Sequence, residues 1–493
     1  MNKKVDKVVV DKISKNGVWS AVEKISQYAV VQVYSQVGKF NWQEPYKTGD
    51  QFENRGTGFF VNEHGYIVTN YHVISEAKVI WIQMPVLGRK IIHAYVVGFC
   101  PDSDIALLAI SQKSIDEIKK VFGQIPVLAI GDSDATKRTD SVMVLGYPLG
   151  NHNLKSTVGI ISGMESIGGI TLLQVTAPIN PGSSGGPVFS SLGEVIGIAV
   201  ALDAMAQNVG YALPINELKV IFKDLQKQRL LRKTVLGGVF HNSTDEQAKF
   251  LSNPVPSGYY IKDILKNSLM EKAGVKPGDM LYKFNGHFID AFGEAKVSWS
   301  ADRVILKDLI SRLSIGQNVD MVIYRNGEKK QIKFKIEPPV VYPIREIFPG
   351  YEEIDYEVLG GMVIMELAVN HFEVLEDLNP FIVEYLKPEN KVDPVLVITH
   401  IMPGSYAHQV RSLKPGDIIS KVNGKKVGVL SEFRKLLKKS MESGVFSIET
   451  VEKTLAVFDF KAMLKDEINL AVSFAYPVSE DVAKLIEKIE VEK

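Results

Sequence analysis

Between Ala29 and Ala201 the chain never runs far without a short apolar segment closed off by glycine, proline or a polar turn. Ala29-Val30-Val31-Gln32-Val33-Tyr34 is the first. Gly58-Phe59-Phe60-Val61 and Tyr66-Ile67-Val68-Thr69 then flank Asn62-Glu63-His64-Gly65, a hairpin turn with glycine last. The series continues at Val79 to Met84, Ile91 to Phe99, Ile105 to Ile110, Ser141 to Leu145, Ser156 to Ser162, Leu172 to Thr176, Pro187 to Phe189 and Val195 to Ala201. Strands this short bury their apolar faces only by joining one another, and few helical stretches separate them. An all-β barrel or sandwich is the architecture they allow. Residues 1 to 27 carry mixed charge and a weak helical pattern at Val18 to Ile25, and the aperiodic stretch Gln36 to Asn54 reads as a long surface loop. The first convincing helical pattern is Ile215 to Leu231, with Pro214 suited to its first turn.

The second half repeats itself. Val235-Leu236-Gly237-Gly238-Val239-Phe240 is echoed by Val358-Leu359-Gly360-Gly361-Met362-Val363. Lys276-Pro277-Gly278-Asp279, closing in Phe284-Asn285-Gly286, is echoed by Lys414-Pro415-Gly416-Asp417, closing in Val422-Asn423-Gly424. An apolar strand precedes each Pro-Gly-Asp turn (Tyr259 to Ile264, Val395 to Ile401), and a helix-like stretch follows each Asn-Gly turn (Arg303 to Leu313, Leu430 to Lys439). The second copy carries an acidic and apolar insertion, Asn370 to Val392, and Ser479 to Val491 reads as a closing amphipathic helix.

Composition narrows the partners. Lys+Arg and Asp+Glu both number 57 in 493 residues, so no net charge draws the chain to nucleic acid or an anionic membrane. One cysteine, Cys100 in an apolar run, makes neither an internal disulfide nor a structural zinc site and reads as a buried thiol. No His/Cys/Asp/Glu grouping has metal spacing, and no Gly-rich strand-to-helix turn suggests a nucleotide, so no cofactor is expected. The basic start is not followed by an apolar run of about 7–15 residues, and no stretch reaches the roughly 18 that span a membrane. The expectation is a soluble protein, cytoplasmic or organellar as it stands, and periplasmic or envelope-associated if a signal has been removed.

The chemistry centres on Asn180-Pro181-Gly182-Ser183-Ser184-Gly185-Gly186-Pro187. A serine set among glycines has what a nucleophile needs: a sharply bent backbone and amides free to hold an oxyanion. A serine hydroxyl requires a base with a pKa near 7, hence a histidine, and the histidine requires a carboxylate to orient it. His72 follows one strand, and Asp104 precedes another, with Asp102 competing for that role. The order His, Asp, Ser is that of chymotrypsin-like folds. An α/β-hydrolase, which Gly182-Ser183-Ser184-Gly185-Gly186 also suggests, needs the order Ser, Asp, His and a helix after the serine, where this chain has Pro187-Val188-Phe189.

The blocks Gly56-Thr57-Gly58-Phe59-Phe60-Val61, Thr69-Asn70-Tyr71-His72-Val73, Asp104-Ile105-Ala106-Leu107-Leu108, Gly146-Tyr147-Pro148-Leu149-Gly150, Asn180 to Pro187, Gly193-Glu194-Val195-Ile196-Gly197-Ile198 and Gly210-Tyr211-Ala212-Leu213-Pro214-Ile215 together resemble the HtrA/Deg family of serine proteases. The resemblance implies a mainly β protein: a chymotrypsin-like double β-barrel protease domain followed by two PDZ-like α+β domains. It implies Ser184 as nucleophile, His72 as base, Asp104 as its partner, and the amides of Gly182 and Ser184 as oxyanion hole. Where the family usually has asparagine before the nucleophile, this chain has Ser183. Ile179, Ala199 and Ala201 are expected around the substrate pocket, beside the loop Ala201 to Gly210, and favour a small or aliphatic residue before the cleaved bond. Leu236, Gly237, Gly238 and Val239 are expected to bind a peptide carboxylate.

The expected layout is an N-terminal segment 1–28, protease 29–231, first PDZ 232–338, second PDZ-like domain 352–475 and C-terminal helix 476–493. The function the resemblance implies is ATP-independent endoproteolysis of unfolded or damaged proteins by a homotrimer or a multiple of trimers, in stress-related quality control. The alternative is a chaperone or scaffold whose protease domain mostly rests.

Overall fold

A computed structural model describes residues 17–150, 152–167, 170–201, 209–254 and 257–491. Positions 1–16 of the expected N-terminal segment, and most of the loop between Ala201 and Gly210, lie outside the described residues. The chain forms two compact units, Met1–Val37 with Phe52–Val340, and Gly38–Gln51 with Val341–Lys493.

In the first unit, strands β1 (Val30–Phe40), β2 (Thr48–Phe60), β3 (Tyr66–Thr69), β4 (Ala77–Gln83), β5 (Ile92–Cys100) and β6 (Ile105–Ile110) close a barrel in the order β1-β2-β3-β6-β5-β4. Strands β7 (Ser141–Gly146), β8 (Lys155–Ile167), β9 (Ile170–Val175), β10 (Pro187–Ser190), β11 (Val195–Val200) and β12 (Gly210–Pro214) close a second, in the order β10-β11-β12-β9-β8-β7. Closure removes the exposed edges that short strands otherwise present. Phe59, Leu107, Leu145, Phe189 and Leu213 share one buried core across the two barrels, joined by Val22 of the helix Val18–Ser26. Cys100 is fully buried in that core, and burial pushes its thiol up to about 11.

Two expectations fail in this region. The helix Gln112–Phe122, absent from the sequence reading, stands between β6 and β7. Its signals were present: Ser111 Oγ accepts the Ser114 N–H, Ile115 and Ile118 are buried one turn apart, and Gly123 ends it at φ 78°. The supposed surface loop Gln36 to Asn54 is mostly strand, the far ends of β1 and β2. Its tip, Gly38–Gln51, is built into the second unit, where its aromatic side chains find a core. Trp42 is buried there, 5.1 Å edge-on to His371, and Thr399 Oγ1 donates to the Gln43 carbonyl at 2.8 Å.

The repeat is real, and its register differs from the sequence echo. The first copy is an antiparallel sheet running Gly238–His241, Tyr259–Ile264, Met280–Phe284, Asn318–Arg325, Glu328–Lys335. The second runs Tyr356–Leu359, Met362–Glu366, Leu396–Ile401, Ile418–Val422, Val445–Thr450, Leu455–Asp459. The Gly237 carbonyl accepts from Leu265 N–H, and a side chain at Gly237 would strike Ser268, the cap of a short helix. In the second copy it is Gly361 whose carbonyl accepts from Met402 N–H and which faces the corresponding helix cap, Ser405. Gly361 therefore matches Gly237, and Gly360 stands where the first copy has Leu236, one residue off the Leu-Gly-Gly alignment. The slip has a structural consequence. Gly360 and Gly361 have φ of 59° and 83°, the pair of positive values a tight two-residue hairpin needs. That turn folds Tyr356–Leu359 back along Met362–Glu366, with pairs from Leu359↔Met362 to Tyr356↔Met365. The second sheet thus begins one strand earlier than the first.

The core of the second copy is aromatic, with Phe433, Phe446, Phe458 and Phe460 fully buried. The helices Phe460–Phe474 and Glu480–Val491 add Met463, Leu464, Val482 and Leu485 to the same core, so the C-terminal helix is integral to the unit. Glu467 of the first of these is fully buried, its Oε2 accepting the Gly360 N–H at 2.7 Å and its Oε1 the Tyr476 hydroxyl at 2.7 Å. Burial pushes its pKa up to about 7, against those two hydrogen bonds. Unfolded glutamate titrates near ~4.3, so between the two values the folded chain holds a proton the unfolded chain has lost. The stability this proton contributes is complete below the lower value and disappears as pH rises through about 7. Glu467→Gln should flatten the fall in melting temperature of the second unit between pH 5 and 8, measured by thermal unfolding. An unchanged slope in the variant would contradict the assignment.

Candidate active site

The site is assembled where β3, β6 and the segment before β10 come together. After β3 the chain turns at Asn70 into the one-turn helix Tyr71–Ile74, which carries His72. Asp104 sits between the turn Pro101–Ser103 and β6 in a left-handed conformation, φ 50° and ψ 41°. Such a backbone is uncommon outside glycine, asparagine and aspartate. It directs both the main chain and the carboxylate of Asp104 at the histidine segment. The Asp104 carbonyl accepts from Tyr71 N–H at 3.1 Å and from Asn70 Nδ2 at 3.0 Å. Its Oδ1 accepts the His72 N–H at 2.9 Å, and its Oδ2 lies 2.8 Å from His72 Nδ1. With Nδ1–H bound to the carboxylate, Nε2 is left as the basic nitrogen, the tautomer a general base requires. Asp102, the competing carboxylate, is bound to the Lys233 N–H at 2.7 Å and takes no part.

Ser184 is nearly buried, and its Oγ accepts from the Ala201 N–H at 3.1 Å. Among the described residues no hydrogen bond joins it to His72, and contacts of this kind commonly tighten only when substrate is bound. The loop before it is held in detail. Ser183 N–H donates to Asn180 O, Leu149 N–H to Pro181 O, Gly186 N–H to Ser183 O and Gly185 N–H to Ala199 O. Among the described residues the amides of Gly182 and Ser184 donate to no main-chain carbonyl. Gly182 has φ +94°, and a Cβ there would stand 2.5 Å from the Tyr147 carbonyl, so the position admits only glycine.

Ser183, the departure from the family pattern, is buried against Gly146, where an added Cβ would come within 3.1–3.3 Å of its Cα, Cβ and Oγ. The slot suits a serine. Of the expected pocket residues, Ile179 is half-buried beside Gly210, Ala199 is fully buried behind the serine loop, and Ala201 supplies the amide on Ser184. Sequence reasoning gave no role to Thr57 or to the Ala201 amide. The donation of Thr57 Oγ1 to the Gly182 carbonyl and that of the Ala201 N–H to Ser184 Oγ each join residues more than fifteen positions apart, which no local spacing encodes.

In the first repeat, Leu236, Gly237 and Gly238 line a cavity of about 620 Å³ that is also lined by the helix Leu306–Ser311 and by Glu217, Val220 and Ile221 of the helix Ile215–Leu225, and Val239 pairs with Asp263. Strand Gly238–His241 ends that sheet. The same edge in the second repeat is filled by Tyr356–Leu359, which Arg434 fastens by bonds to Glu357 Oε2 and the Tyr356 carbonyl at 2.8 and 2.9 Å.

A family model of the trypsin-like peptidase domain matches residues 56–198, and one of the PDZ domain matches residues 383–446, within the second repeat. The chain is similar to a protein of Marinomonas sp. (strain MWYL1) named probable periplasmic serine endoprotease DegP-like: 28% identity over 411 residues, covering 81% of this chain and 77% of the relative. It is also similar to the periplasmic serine endoprotease DegP of Escherichia coli (strain K12), with 26% identity over 419 residues, covering 82% and 76%. Among solved structures, the HtrA-type protease AlgW with decapeptide shares its fold, with a TM-score of 0.51 at 22% identity over 66% of this chain and 99% of that one. The fold is the chymotrypsin-like double barrel followed by PDZ, and the chain is a serine endopeptidase similar to the HtrA/DegP proteases. Asp104→Asn should lower kcat by roughly 10⁴-fold while leaving the barrels folded, as read by peptide hydrolysis and circular dichroism. A loss below tenfold would remove Asp104 from the triad.

Proposed function

We propose that this chain is an ATP-independent endopeptidase that cuts unfolded protein segments and gathers them through its first repeat. The observation that carries the reading is the pair of hydrogen bonds from His72 to Asp104, one from its main-chain N–H and one from Nδ1, which leaves Nε2 as the basic nitrogen. Ser184 Oγ attacks the peptide carbonyl as His72 takes its proton, and the amides of Gly182 and Ser184 receive the oxyanion. His72 then protonates the leaving amine, and water releases the acyl group by the same route in reverse. These chemical steps consume only water, and no nucleotide enters them. Ile179, Ala199 and Ala201 offer apolar, small surfaces to the residue before the cut, which suits a small or aliphatic side chain.

The first repeat, read as a PDZ module, presents an open strand edge and the Leu236–Val239 loop to a peptide terminus. The second has its edge taken by Tyr356–Leu359 and is read as an assembly element rather than a second peptide site. We read the assembly as a homotrimer of protease domains or a multiple of trimers, the state that the HtrA/Deg resemblance implies. The relatives' names place them in the periplasm, and we adopt that compartment in preference to the cytoplasm.

Wild-type protein should degrade casein without ATP and Ser184→Ala should not. Suppression of aggregation by both, with cleavage by neither, would favour the chaperone reading. A peptide library should be cut mainly after small or aliphatic residues, and cuts after Lys, Arg or Asp would refute the pocket assignment. A photo-crosslinking peptide with a free apolar C-terminus should label residues 236–240, at least tenfold more than its amide. Labelling of residues 356–366 instead would reverse the roles of the two repeats.

A further inference from the structure

The oxyanion hole read above depends on where two N–H groups point, and in a planar trans peptide each N–H points away from the carbonyl of its own plane. Every peptide bond described here is trans. The direction of the Gly182 and Ser184 amides is therefore set by what holds the carbonyls around them. Pro181 O is held by Leu149 N–H at 2.7 Å, and Ser183 O by Gly186 N–H at 3.0 Å. The plane between them, Gly182–Ser183, is held at its carbonyl by Thr57 Oγ1 at 2.7 Å and at its amide by Asn180 O at 2.9 Å. The Ser184 carbonyl in turn accepts the Thr57 N–H at 2.8 Å.

Of these partners only Thr57 Oγ1 belongs to a side chain. Thr57 comes from β2 in the first barrel, is fully buried, and its own carbonyl is fastened by Thr69 Oγ1 at 2.7 Å. Its hydroxyl donates to Gly182 O and accepts the Tyr147 N–H at 3.0 Å, two residues before the amide that holds Pro181. One buried hydroxyl thus reaches the serine loop directly and also anchors the segment that supports it.

Resting on the reading of Ser184 as nucleophile, we propose that Thr57 is a positioning residue for the reaction. Its hydroxyl locks the Gly182–Ser183 peptide plane between the barrels and so keeps the two oxyanion donors aimed. Thr57 touches no reacting atom. Its loss weakens binding of the transition state and leaves ground-state binding almost intact, because the substrate pocket is built from other residues.

The test compares full-length wild type, Thr57→Val, Thr57→Ser and Ser184→Ala on one chromogenic peptide, with thermal melts and a peptide boronate as transition-state mimic. Thr57→Val keeps the shape and removes the hydroxyl. It should lower kcat by roughly 10²-fold, leave KM within about twofold and weaken boronate binding in parallel with kcat. Thr57→Ser should recover most of the rate. Wild-type kcat in Thr57→Val overturns the proposal. So does a loss matched by an equal loss in Thr57→Ser, or one that only tracks the folded fraction, since each makes Thr57 a packing residue. Failure of the underlying reading looks different: wild type and Ser184→Ala would then hydrolyse the peptide equally.

Discussion

Both carboxylate oxygens of Asp104 are spent on one residue, and the site depends on that arrangement. One oxygen takes the His72 main-chain N–H and the other faces its imidazole, so the ring and its backbone are held from the same side. The left-handed backbone of Asp104 makes this possible, because an extended residue there would carry its carboxylate and carbonyl apart. The clamp sits at the end of a short turn between β5 and β6, strands of a closed barrel whose core is fully buried. A rigid barrel rim is the right place for it: catalytic side chains need positions fixed to a fraction of an ångström, and packed strands give that better than free loops.

Turn chemistry decides what the two repeats present. Their sheets share the same bulge, between Val239 and Phe240 in one and Val363 and Ile364 in the other, and matching helix caps at Ser268 and Ser405. They differ in whether leucine or glycine stands at one position. Leu236 keeps a side chain buried in the first core. Gly360, at the matching place, allows a second positive φ and hence a hairpin, and the preceding strand is returned onto the sheet edge. The Glu467 carboxyl then takes the Gly360 amide. A single step of register converts an open edge into a covered one.

Much of this was legible in the residues. Strand after strand around Phe59, Leu107, Val144 and Ile198 lies where alternating or continuous apolar runs put it, because a buried strand has few other ways to satisfy its surface. His72, Asp104 and Ser184 were singled out because the chemistry calls for those side chains and the neighbouring blocks are distinctive, and the structure brings His72 and Asp104 into contact. Two of the readings that failed did so because of contacts distant in the chain. Phe40, Trp42 and Tyr46 looked like an aperiodic loop because their partners, such as His371 and Tyr476, lie hundreds of residues away in the chain. The Leu-Gly-Gly echo misled because identical letters were aligned, whereas carbonyl contacts define the equivalence.

The sequence by itself determined the class of chemistry and the kind of fold, since a serine among glycines, a histidine, an aspartate and a train of short apolar strands restrict both through local rules of backbone freedom, pKa and burial. Only the tertiary structure set Asp104 rather than Asp102 against His72, placed Thr57 under the serine loop, and left the strand Gly238–His241 at the end of its sheet. Each of those outcomes is a matter of direction: where a carboxylate, a hydroxyl or a peptide plane points after distant strands have packed. Spacing along a chain carries no record of direction in space.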